Sequence, residues 1–365
     1  MTRETDWSSI GDLVQQSVEA GTEVGAGVSV WHDGAEVVNL AVGTRNAAGD
    51  PWQPDTLAHT YSVAKPFAAL TALSVVAEGA IGLDQPIADV WPEFSGHGKA
   101  PTTLRHVLSH QSGLFAFPDS AASIDPLDGE ALVELLAEAA PFHPPGQGIA
   151  EHALTYGHLL HGVVQRATGQ GLADRFAELA AAHGWDLHLS VPEADLPRVA
   201  DLTYARPGWA AGYLDSTNTA LTASLGRPAG PLEVDVVNGK DWRSGWFPAI
   251  ALHATAPALA RFYAELLDPD GPVARLLGPE LLREYTSVQA TGHDLVLDRE
   301  ATWTLGFQRD AVEIGMGGIG GSSAWFSTAK GYACAYVTRG LATHDRVDAV
   351  WEEIERLLPG DILDA

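Results

Sequence analysis

Strand-like segments lie near both ends of the chain, and the residues between them carry a mainly helical pattern. Near the N-terminus, residues 28–32 and 35–42 flank Asp33-Gly34, a dipeptide typical of two-residue hairpin turns because both central positions tolerate positive φ. The C-terminal part has the composition of three further strands, at residues 303–308, 322–327 and 332–338. We therefore expect one antiparallel sheet to which both ends of the chain contribute.

Helices are predicted where apolar residues recur at a spacing of three or four. A first helix is expected over residues 7–20 and a closing helix over residues 347–358. Between the strand-rich ends, four helical segments alternate with loops that contain proline and glycine, at residues 103–109, 129–140, 155–168 and 172–183. This part of the chain is interpreted as a helical insertion.

The length of the chain predicts two lobes, because 365 residues exceed the size at which one hydrophobic core suffices. We predict a two-lobed α/β fold. Residues 1–85 and 246–365 would form an α/β lobe in which an antiparallel sheet is flanked by N- and C-terminal helices. Residues 86–245 would form the mainly helical lobe. Ligand sites are frequent at such interfaces, so we expect the active site between the lobes.

The chain is strongly acidic, with 21 Lys and Arg against 47 Asp and Glu and a formal net charge of -26. Such a charge repels polyanions, so nucleic acid and anionic membranes are not expected as partners. A solvated surface that resists aggregation accounts for the acidity. A preference for a cationic substrate is the alternative explanation.

One cysteine is present, Cys334, within the apolar segment 332–337, which predicts a buried strand thiol and no intrachain disulfide. The segment Met1–Asp6 has polar and acidic residues where a signal peptide would be apolar, and no run approaches the roughly 18 apolar residues of a membrane span. These features are typical of a cytoplasmic protein.

The strongest chemical signal is Ser62-Val63-Ala64-Lys65, an S-x-x-K sequence at the start of a predicted helix. The helix is expected to continue to about Ala77 with one apolar stripe, formed by Phe67, Leu70, Leu73 and Val76. Spacing by three residues puts the serine hydroxyl and the lysine amine on one face, so the amine can take the hydroxyl proton. We expect Ser62 to lie exposed at this helix start.

A second S-x-x-K sequence, Ser327-Thr328-Ala329-Lys330, shows that the pattern alone is weak. It falls between two predicted strands and therefore spans a hairpin turn. In that context an exposed lysine is the simple explanation, because the catalytic pattern needs a helix start.

Several segments of the sequence beyond Ser62 resemble those of a known family of enzymes. Residues 103–114, Thr-Leu-Arg-His-Val-Leu-Ser-His-Gln-Ser-Gly-Leu, are similar to a segment of the penicillin-recognising, class C β-lactamase-like serine hydrolases. Pro144-Pro145-Gly146 and Ala167-Thr168-Gly169-Gln170 resemble two further landmarks of that family. The similarity covers residues 25–340 and is greatest to the carboxylesterase branch. It implies a β-lactamase-like fold in which Ser62 becomes acylated.

The family's second motif begins with a tyrosine, and this chain departs from the pattern there. The spacing from Pro144-Pro145-Gly146 puts Glu151 at the tyrosine position, in Glu151-His152-Ala153-Leu154-Thr155. A rival alignment, shifted by five residues, would use Tyr156 instead. A carboxylate beside Lys65 would favour the ammonium form, so Glu151 is expected either to accept the Ser62 proton or to pair with Lys65.

The third motif is expected on a strand that lines the site, at Met316-Gly317-Gly318-Ile319. The resemblance makes the Ile319 N–H one oxyanion donor and the Ser62 N–H the other, while Gly318 lets the backbone approach the substrate. Met316 replaces the polar residue that most relatives carry. This departure puts recognition of a β-lactam carboxylate in doubt.

No cofactor or metal is expected. Residues 315–320 match G-x-G-x-x-G, but a strand follows them where dinucleotide binding needs a helix. The histidines form no metal-ligand pattern such as H-E-x-x-H, so capping or core roles are expected for His106, His110, His152, His158 and His161. No G-x-S-x-G sequence is present either, which argues against an α/β-hydrolase.

The sequence therefore predicts an acyl-transfer enzyme with an acyl-Ser62 intermediate. Its partners would be a small-molecule acyl donor, either an ester, a thioester or an amide, and in one alternative an amine or alcohol acceptor. Hydrolysis of the carboxylesterase type is the first expectation. The alternatives are a transacylase of natural-product biosynthesis and a catalytically silent binding protein.

Overall fold

The computed structural model of the protein describes residues 5–358. Part of the segment Met1–Asp6, on which the cytoplasmic interpretation rests, and the last residues of the proposed α/β lobe lie outside these described residues. Within residues 5–358, no helix combines the length and the apolar composition needed to cross a membrane.

The described residues contain helices and strands along their whole length. The α-helices are α1 (Ser8–Glu19), α2 (Lys65–Ala77), α3 (Leu104–Leu108), α4 (Gly129–Glu138), α5 (Thr155–Thr168), α6 (Leu172–His183), α7 (Ala211–Leu214), α8 (Thr219–Leu225), α9 (Val234–Val237), α10 (Lys240–Ser244), α11 (Ala256–Glu265), α12 (Pro272–Thr286) and α13 (Asp345–Leu357). Short 3₁₀ turns cover Ser62–Ala64, Ile87–Asp89, Pro92–Ser95, Asp119–Ser123 and Glu193–Arg198.

The strands are β1 (Gly25–His32), β2 (Ala35–Gly43), β3 (Ala58–His59), β4 (Leu187–His188), β5 (Thr203–Tyr204), β6 (His253–Ala254), β7 (Ala290–Asp294), β8 (Arg299–Trp303), β9 (Gln308–Arg309), β10 (Ile314–Gly317), β11 (Ser323–Ser327), β12 (Tyr332–Thr338) and β13 (Gly340–Leu341). Eight of them form one antiparallel sheet in the order β2-β1-β12-β11-β10-β9-β8-β7. The N-terminal hairpin therefore pairs with the C-terminal strands, which confirms the predicted sheet. Its turn has positive φ at Asp33 and Gly34, 49° and 78°, as the dipeptide requires.

The central strand β12 has a different kind of side chain on each face. Tyr332, Cys334 and Tyr336 contact the cluster that includes α1 and α13, and Cys334 is buried and free as predicted. Ala333 and Ala335 lie on the other face, in the larger core that includes α11. Because successive side chains of a strand point to opposite faces, small residues on one side let α11 approach the sheet closely.

The helix that follows Ser62 differs from its prediction. We expected one apolar stripe, but residues 65–75 of α2 are all buried, in a core shared with α5, α6 and α12. The helix is therefore enclosed on every face, which is typical of a helix at the centre of a large domain. Its N-terminal residues are held rigidly by this packing.

Two other predictions need correction or stay open. Residues 303–308 are not one strand: β8 ends at Trp303, a turn follows, and β9 begins at Gln308. The segment 86–245 is mainly helical, yet it also contributes β4 and β5 to two small sheets. In those sheets β4 pairs with β6, and β5 pairs with β13. The proposed domain boundaries at residues 86 and 246 remain a prediction.

Candidate active site

Ser62 lies in a sharp turn between β3 and α2. The turn depends on Tyr61, which has a φ of 51°, a value that is rare for a bulky residue, and which forms an isolated bridge with Ala251. Ser62 then opens the 3₁₀ turn that leads into α2. The expectation of an exposed hydroxyl is wrong, because Ser62 is only 6% exposed and lines a cavity.

Lys65 joins Ser62 to Glu151. Its Nζ lies 2.7 Å from Ser62 Oγ and 3.1 Å from Glu151 Oε1, and its side chain has no exposure to solvent. Burial lowers the pKa of the Lys65 amine, while the charge of Glu151 and its hydrogen bond act in the opposite direction. The predicted ammonium-favouring effect of Glu151 is therefore present, but burial outweighs it. A buried amine with a lowered pKa is suited to accept a proton.

The two candidates for the second motif occupy different places. Glu151 precedes α5, lines the same cavity as Ser62 and contacts Lys65 directly. Tyr156 lies in the first turn of α5, is wholly buried and donates its hydroxyl to the carbonyl of Leu108 at 3.2 Å. Burial also raises the pKa of the Tyr156 hydroxyl well above its usual value. The geometry brings the carboxylate, and not the phenol, to the lysine.

The loop after β10 presses against the backbone that leads to Ser62. A Cβ atom at Gly318 would lie 2.0 Å from the carbonyl oxygen of Thr60 and 3.1 Å from Cβ of Tyr61, so no side chain fits there. The N–H of Gly318 donates to Ser322 O at 2.7 Å. Within the described residues, the N–H groups of Ser62 and Ile319 have no protein acceptor. Both residues line the cavity, as expected of oxyanion donors.

Met316 forms an apolar wall of the cavity. Its side chain is 4% exposed and packs in a small cluster with Ile149, Ala290, Ala301 and Trp303. The position where the family resemblance led us to expect a polar side chain is therefore part of a hydrophobic contact between β10 and the segment that leads to Glu151.

Two residues at the start of α13 bracket residues 318–321, the loop after β10 that carries the candidate oxyanion donor Ile319 and is called the oxyanion loop below, and sequence reasoning missed both. His344 lines the cavity, and its Nε2 lies 3.2 Å from the place where a Cβ on Gly317 would stand. Arg346 donates to the carbonyl of Gly320 at 3.3 Å and is paired with buried Glu23 at 2.6 Å. A lone histidine and arginine far from the motifs give no sequence signal. The absence of a side chain at Gly317 makes room for the imidazole.

The cavity continues from Ser62 across β8–β11 to the outer part of α13. Its volume of about 750 Å³ falls in the range of small-molecule sites. Five carboxylates line it (Glu151, Glu300, Asp310, Glu313 and Asp348), together with the two arginines Arg299 and Arg309. Burial raises the pKa of Glu313 to about 7. A ligand that fills the cavity therefore meets mixed charge along its length.

The histidines singled out in the sequence serve the fold. His106 completes a capping box with Thr103 at the start of α3. His110 accepts the N–H of His152 at 3.0 Å, and burial lowers the pKa of His152 and His158 to about 3. In the part of the chain that the structure describes, no group of three or more His, Cys, Asp and Glu could hold a metal ion.

Comparison with known proteins identifies the family to which this chain is similar. The family model described as Beta-lactamase matches residues 10–358. The chain belongs to the beta-lactamase family. Esterase/beta-lactamase LipL of Mycobacterium tuberculosis is 31% identical over 345 residues, which cover 87% of this chain and 77% of LipL.

Solved structures support the same assignment for this beta-lactamase family member. A penicillin-binding protein homolog from Caulobacter crescentus has a TM-score of 0.81 at 30% identity, over 96% of this chain and 97% of the other. A family VIII carboxylesterase has a TM-score of 0.83 at 27% identity, also over 96% and 97% of the two chains. The predicted β-lactamase-like α/β fold is confirmed, and the protein is a serine hydrolase of this family.

The closeness of Gly318 to Thr60 gives a first prediction. Gly318→Ala should lower kcat by roughly 100-fold or more, because the added methyl must push the oxyanion loop away from Ser62. Gly317→Ala is the matched comparison, since its Cβ would meet the His344 side chain, which can turn aside. Steady-state kinetics and melting temperatures of both variants check the expectation. A Gly318→Ala enzyme as active as Gly317→Ala would refute the assigned geometry.

Proposed function

We propose that the protein is a carboxylesterase-type hydrolase that forms an acyl ester on Ser62. The observation that carries the proposal is the chain of contacts from Ser62 Oγ through Lys65 Nζ to Glu151, at 2.7 Å and 3.1 Å. Beside it lie the N–H groups of Ser62 and Ile319, which have no acceptor among residues 5–358. Ser62, Glu151 and Ile319 line one cavity, and buried Lys65 joins Ser62 to Glu151. Relatives named as esterases support the ester as substrate, including EstB of Burkholderia gladioli, 36% identical over 176 residues, 43% of this chain and 44% of EstB.

Acylation follows from the position of Lys65. The substrate carbonyl binds with its oxygen between the N–H groups of Ser62 and Ile319. Ser62 Oγ attacks the carbonyl carbon while its proton passes to Lys65 Nζ, which Glu151 stabilises in the charged form. Collapse of the tetrahedral intermediate breaks the bond to the leaving alcohol, and Lys65 returns the proton to that oxygen.

Deacylation repeats these steps with water. A water molecule attacks the acyl carbon, its proton passes to the Lys65–Glu151 pair, and Ser62 leaves with a proton from the same pair. The two side chains share one proton-transfer path, because Glu151 contacts Lys65 at 3.1 Å and the hydrogen-bond partner of Ser62 Oγ among the described residues is Lys65.

The lining of the cavity supports an ester over a β-lactam. A β-lactam carboxylate needs a cationic or imidazole side chain on the strand, and β10 provides buried Met316. We therefore propose a small ester whose acyl part lies against the apolar wall that Met316 and Leu297 contribute.

Transfer of the acyl group to an amine or alcohol is the second candidate. Two observations favour it: Glu151 replaces the family tyrosine, and the cavity continues past Ser62 as far as Trp351. That length leaves space for an acceptor beside the acyl group. The role of a silent binding protein has less support, since a pure binder does not need a buried lysine in contact with a serine.

Replacement of the nucleophile gives the second prediction. Ser62→Ala should abolish both ester turnover and covalent labelling by a fluorophosphonate, with a loss of roughly 10⁶ in kcat by analogy with serine proteases. Intact-mass spectrometry should show one adduct on the wild-type protein and none on the variant, with equal melting temperatures. Turnover near the wild-type level in Ser62→Ala would reject the assignment. Absence of an adduct on the wild type would favour the binding protein.

Removal of the carboxylate gives the third prediction, a shift in pH dependence. Neutral Lys65 is the proposed base, so kcat/KM should rise with pH as the amine loses its proton. Glu151 raises the pKa of Lys65, so in Glu151→Gln that pKa falls and the rising limb moves to lower pH. An active Glu151→Gln enzyme with an unmoved limb would contradict the pairing. A more damaging Tyr156→Phe would favour the rival alignment.

The fourth prediction concerns whether the acyl group passes to water or to an added amine or alcohol. The enzyme is acylated with a simple ester in the presence of a panel of amines and alcohols, and products are measured by mass spectrometry. Free acid should be the product throughout, with unchanged turnover. Saturable formation of one amide or ester, at the expense of free acid, would contradict the hydrolase assignment and support the transacylase.

A further inference from the structure

Asp294 is a buried carboxylate that four N–H groups surround. It lies at the end of β7 with no exposure to solvent, and within residues 5–358 no basic side chain forms a salt bridge with it. Its Oδ1 accepts the backbone N–H of Glu151 at 3.1 Å, of Val296 at 2.9 Å and of Leu297 at 3.0 Å. Its Oδ2 accepts Nε1–H of Trp303 at 3.0 Å.

Three of the four donors belong to the β7–β8 hairpin, and the fourth comes from the active site. Glu151 is 143 residues away in sequence, so this bond joins the edge of the sheet to the segment before α5. The contact is reinforced nearby, where Leu295 N–H donates to the carbonyl of Ile149 at 3.0 Å. Asp294 thus fixes the hairpin and the Glu151 backbone through one oxygen atom.

The carbonyl side of Glu151 is held as well. Its oxygen accepts the N–H of Ala153 at 2.9 Å and the hydroxyl of Ser224 at 3.3 Å. With both the N–H and the C=O engaged, the remaining freedom of residue 151 is that of its side chain. That side chain reaches Lys65 at 3.1 Å.

We propose that Asp294 is a positioning residue that sets the Glu151 carboxylate against Lys65, an inference that rests on the proposed role of Glu151 in proton transfer. A carboxylate suits this place because both of its oxygens must accept hydrogen bonds. An asparagine can satisfy only one side: its NH₂ group must face either Trp303 Nε1–H or the backbone N–H groups, and two donors then meet.

The consequence for catalysis is a loss of alignment rather than of substrate binding. Asp294 does not line the cavity, so its replacement removes no side chain that contacts substrate. Small displacements of a catalytic group lower the rate strongly, so Asp294→Asn should reduce kcat by roughly 10- to 100-fold. KM should stay within about twofold, because binding contacts are retained.

A rescue variant and a double-mutant cycle separate positioning from general destabilisation. In Asp294→Asn/Trp303→Phe the indole donor is gone, so the asparagine can turn its NH₂ toward the phenyl ring and accept from the backbone with its oxygen. This double variant should recover most of the lost kcat.

In a Glu151→Gln background, Asp294→Asn should change kcat by less than about twofold, since coupled residues are not additive. An equal loss in both backgrounds would overturn the proposal.

Hydrogen exchange of the peptide that contains the Glu151 amide provides a readout independent of turnover. Exchange should be faster in Asp294→Asn and slow again in the rescue variant; unchanged exchange would also overturn the proposal.

Asp128→Ala is the control for lost stability. It removes the cap of α4, in which Asp128 Oδ1 accepts the N–H of Ala131 at 3.2 Å, and it should keep wild-type kcat. If Asp294→Asn does not fold, Trp303→Phe is tested instead, because it removes the hydrogen bond to Asp294 Oδ2. Its loss of kcat should be smaller than that expected for Asp294→Asn, and Trp303→Phe should cause no loss of kcat in the Glu151→Gln background.

The same experiments distinguish failure of the inference from failure of the proposed function. If the wild-type protein neither turns over esters nor labels at Ser62, the proposed function fails, and the exchange of the Glu151 amide still decides whether Asp294 holds that residue. If Glu151→Gln has wild-type kinetics while Asp294→Asn is impaired, Asp294 does not act through Glu151, and the inference fails alone.

Discussion

The amine of Lys65 is buried without solvent contact, and the surrounding site is arranged to make that burial tolerable. An isolated ammonium group inside a protein is costly, and it persists only when it is paired or neutral. Here Ser62 and Glu151 supply the partners, at 2.7 Å and 3.1 Å. Burial lowers the pKa of Lys65, and the charge of Glu151 opposes that shift without cancelling it. A lysine whose pKa is lowered in this way suits the proposed role of base.

The partners of Lys65 come from segments far apart in sequence, so their alignment depends on the fold. Ser62 is placed by the unusual backbone at Tyr61, a conformation that costs about 1–3 kcal/mol in general and that the enclosing core maintains. The oxyanion loop reaches the same backbone because Gly318 has no side chain. At its far end, Arg346 and Glu23 hold the loop through the carbonyl of Gly320. The proposed nucleophile, base and oxyanion donors are thus set before a substrate binds.

Sequence patterns predicted what depends on local chemistry. The Asp33-Gly34 hairpin, the helix that opens at Ser62 and the glycine-rich strand follow from turn preference, spacing and backbone access. The family resemblance, read through the spacing from Pro144-Pro145-Gly146, also put Glu151 among the two candidates expected near Lys65, and the structure brings its carboxylate to 3.1 Å. Patterns could not reveal contacts made by the fold alone: His344 and Asp294 lie in no motif, and the full burial of α2 reflects neighbours on every side. The turn at 304–307 was missed because an apolar segment does not show where a strand ends.

Met316 on β10 gives the cavity an apolar wall where the family resemblance led us to expect a polar side chain. On β10 the cavity meets backbone groups and an apolar wall, and neither can select for charge. The charged and aromatic groups that line the rest of the cavity lie on the neighbouring strands and turns, from Arg299 to Glu313, and at α13, from His344 to Trp351. Ser62, Lys65 and Glu151 all lie outside these elements. Because the proposed reaction and the proposed recognition rest on separate elements, substitutions in those strands and in α13 can change the preferred substrate while the contacts among Ser62, Lys65 and Glu151 stay the same.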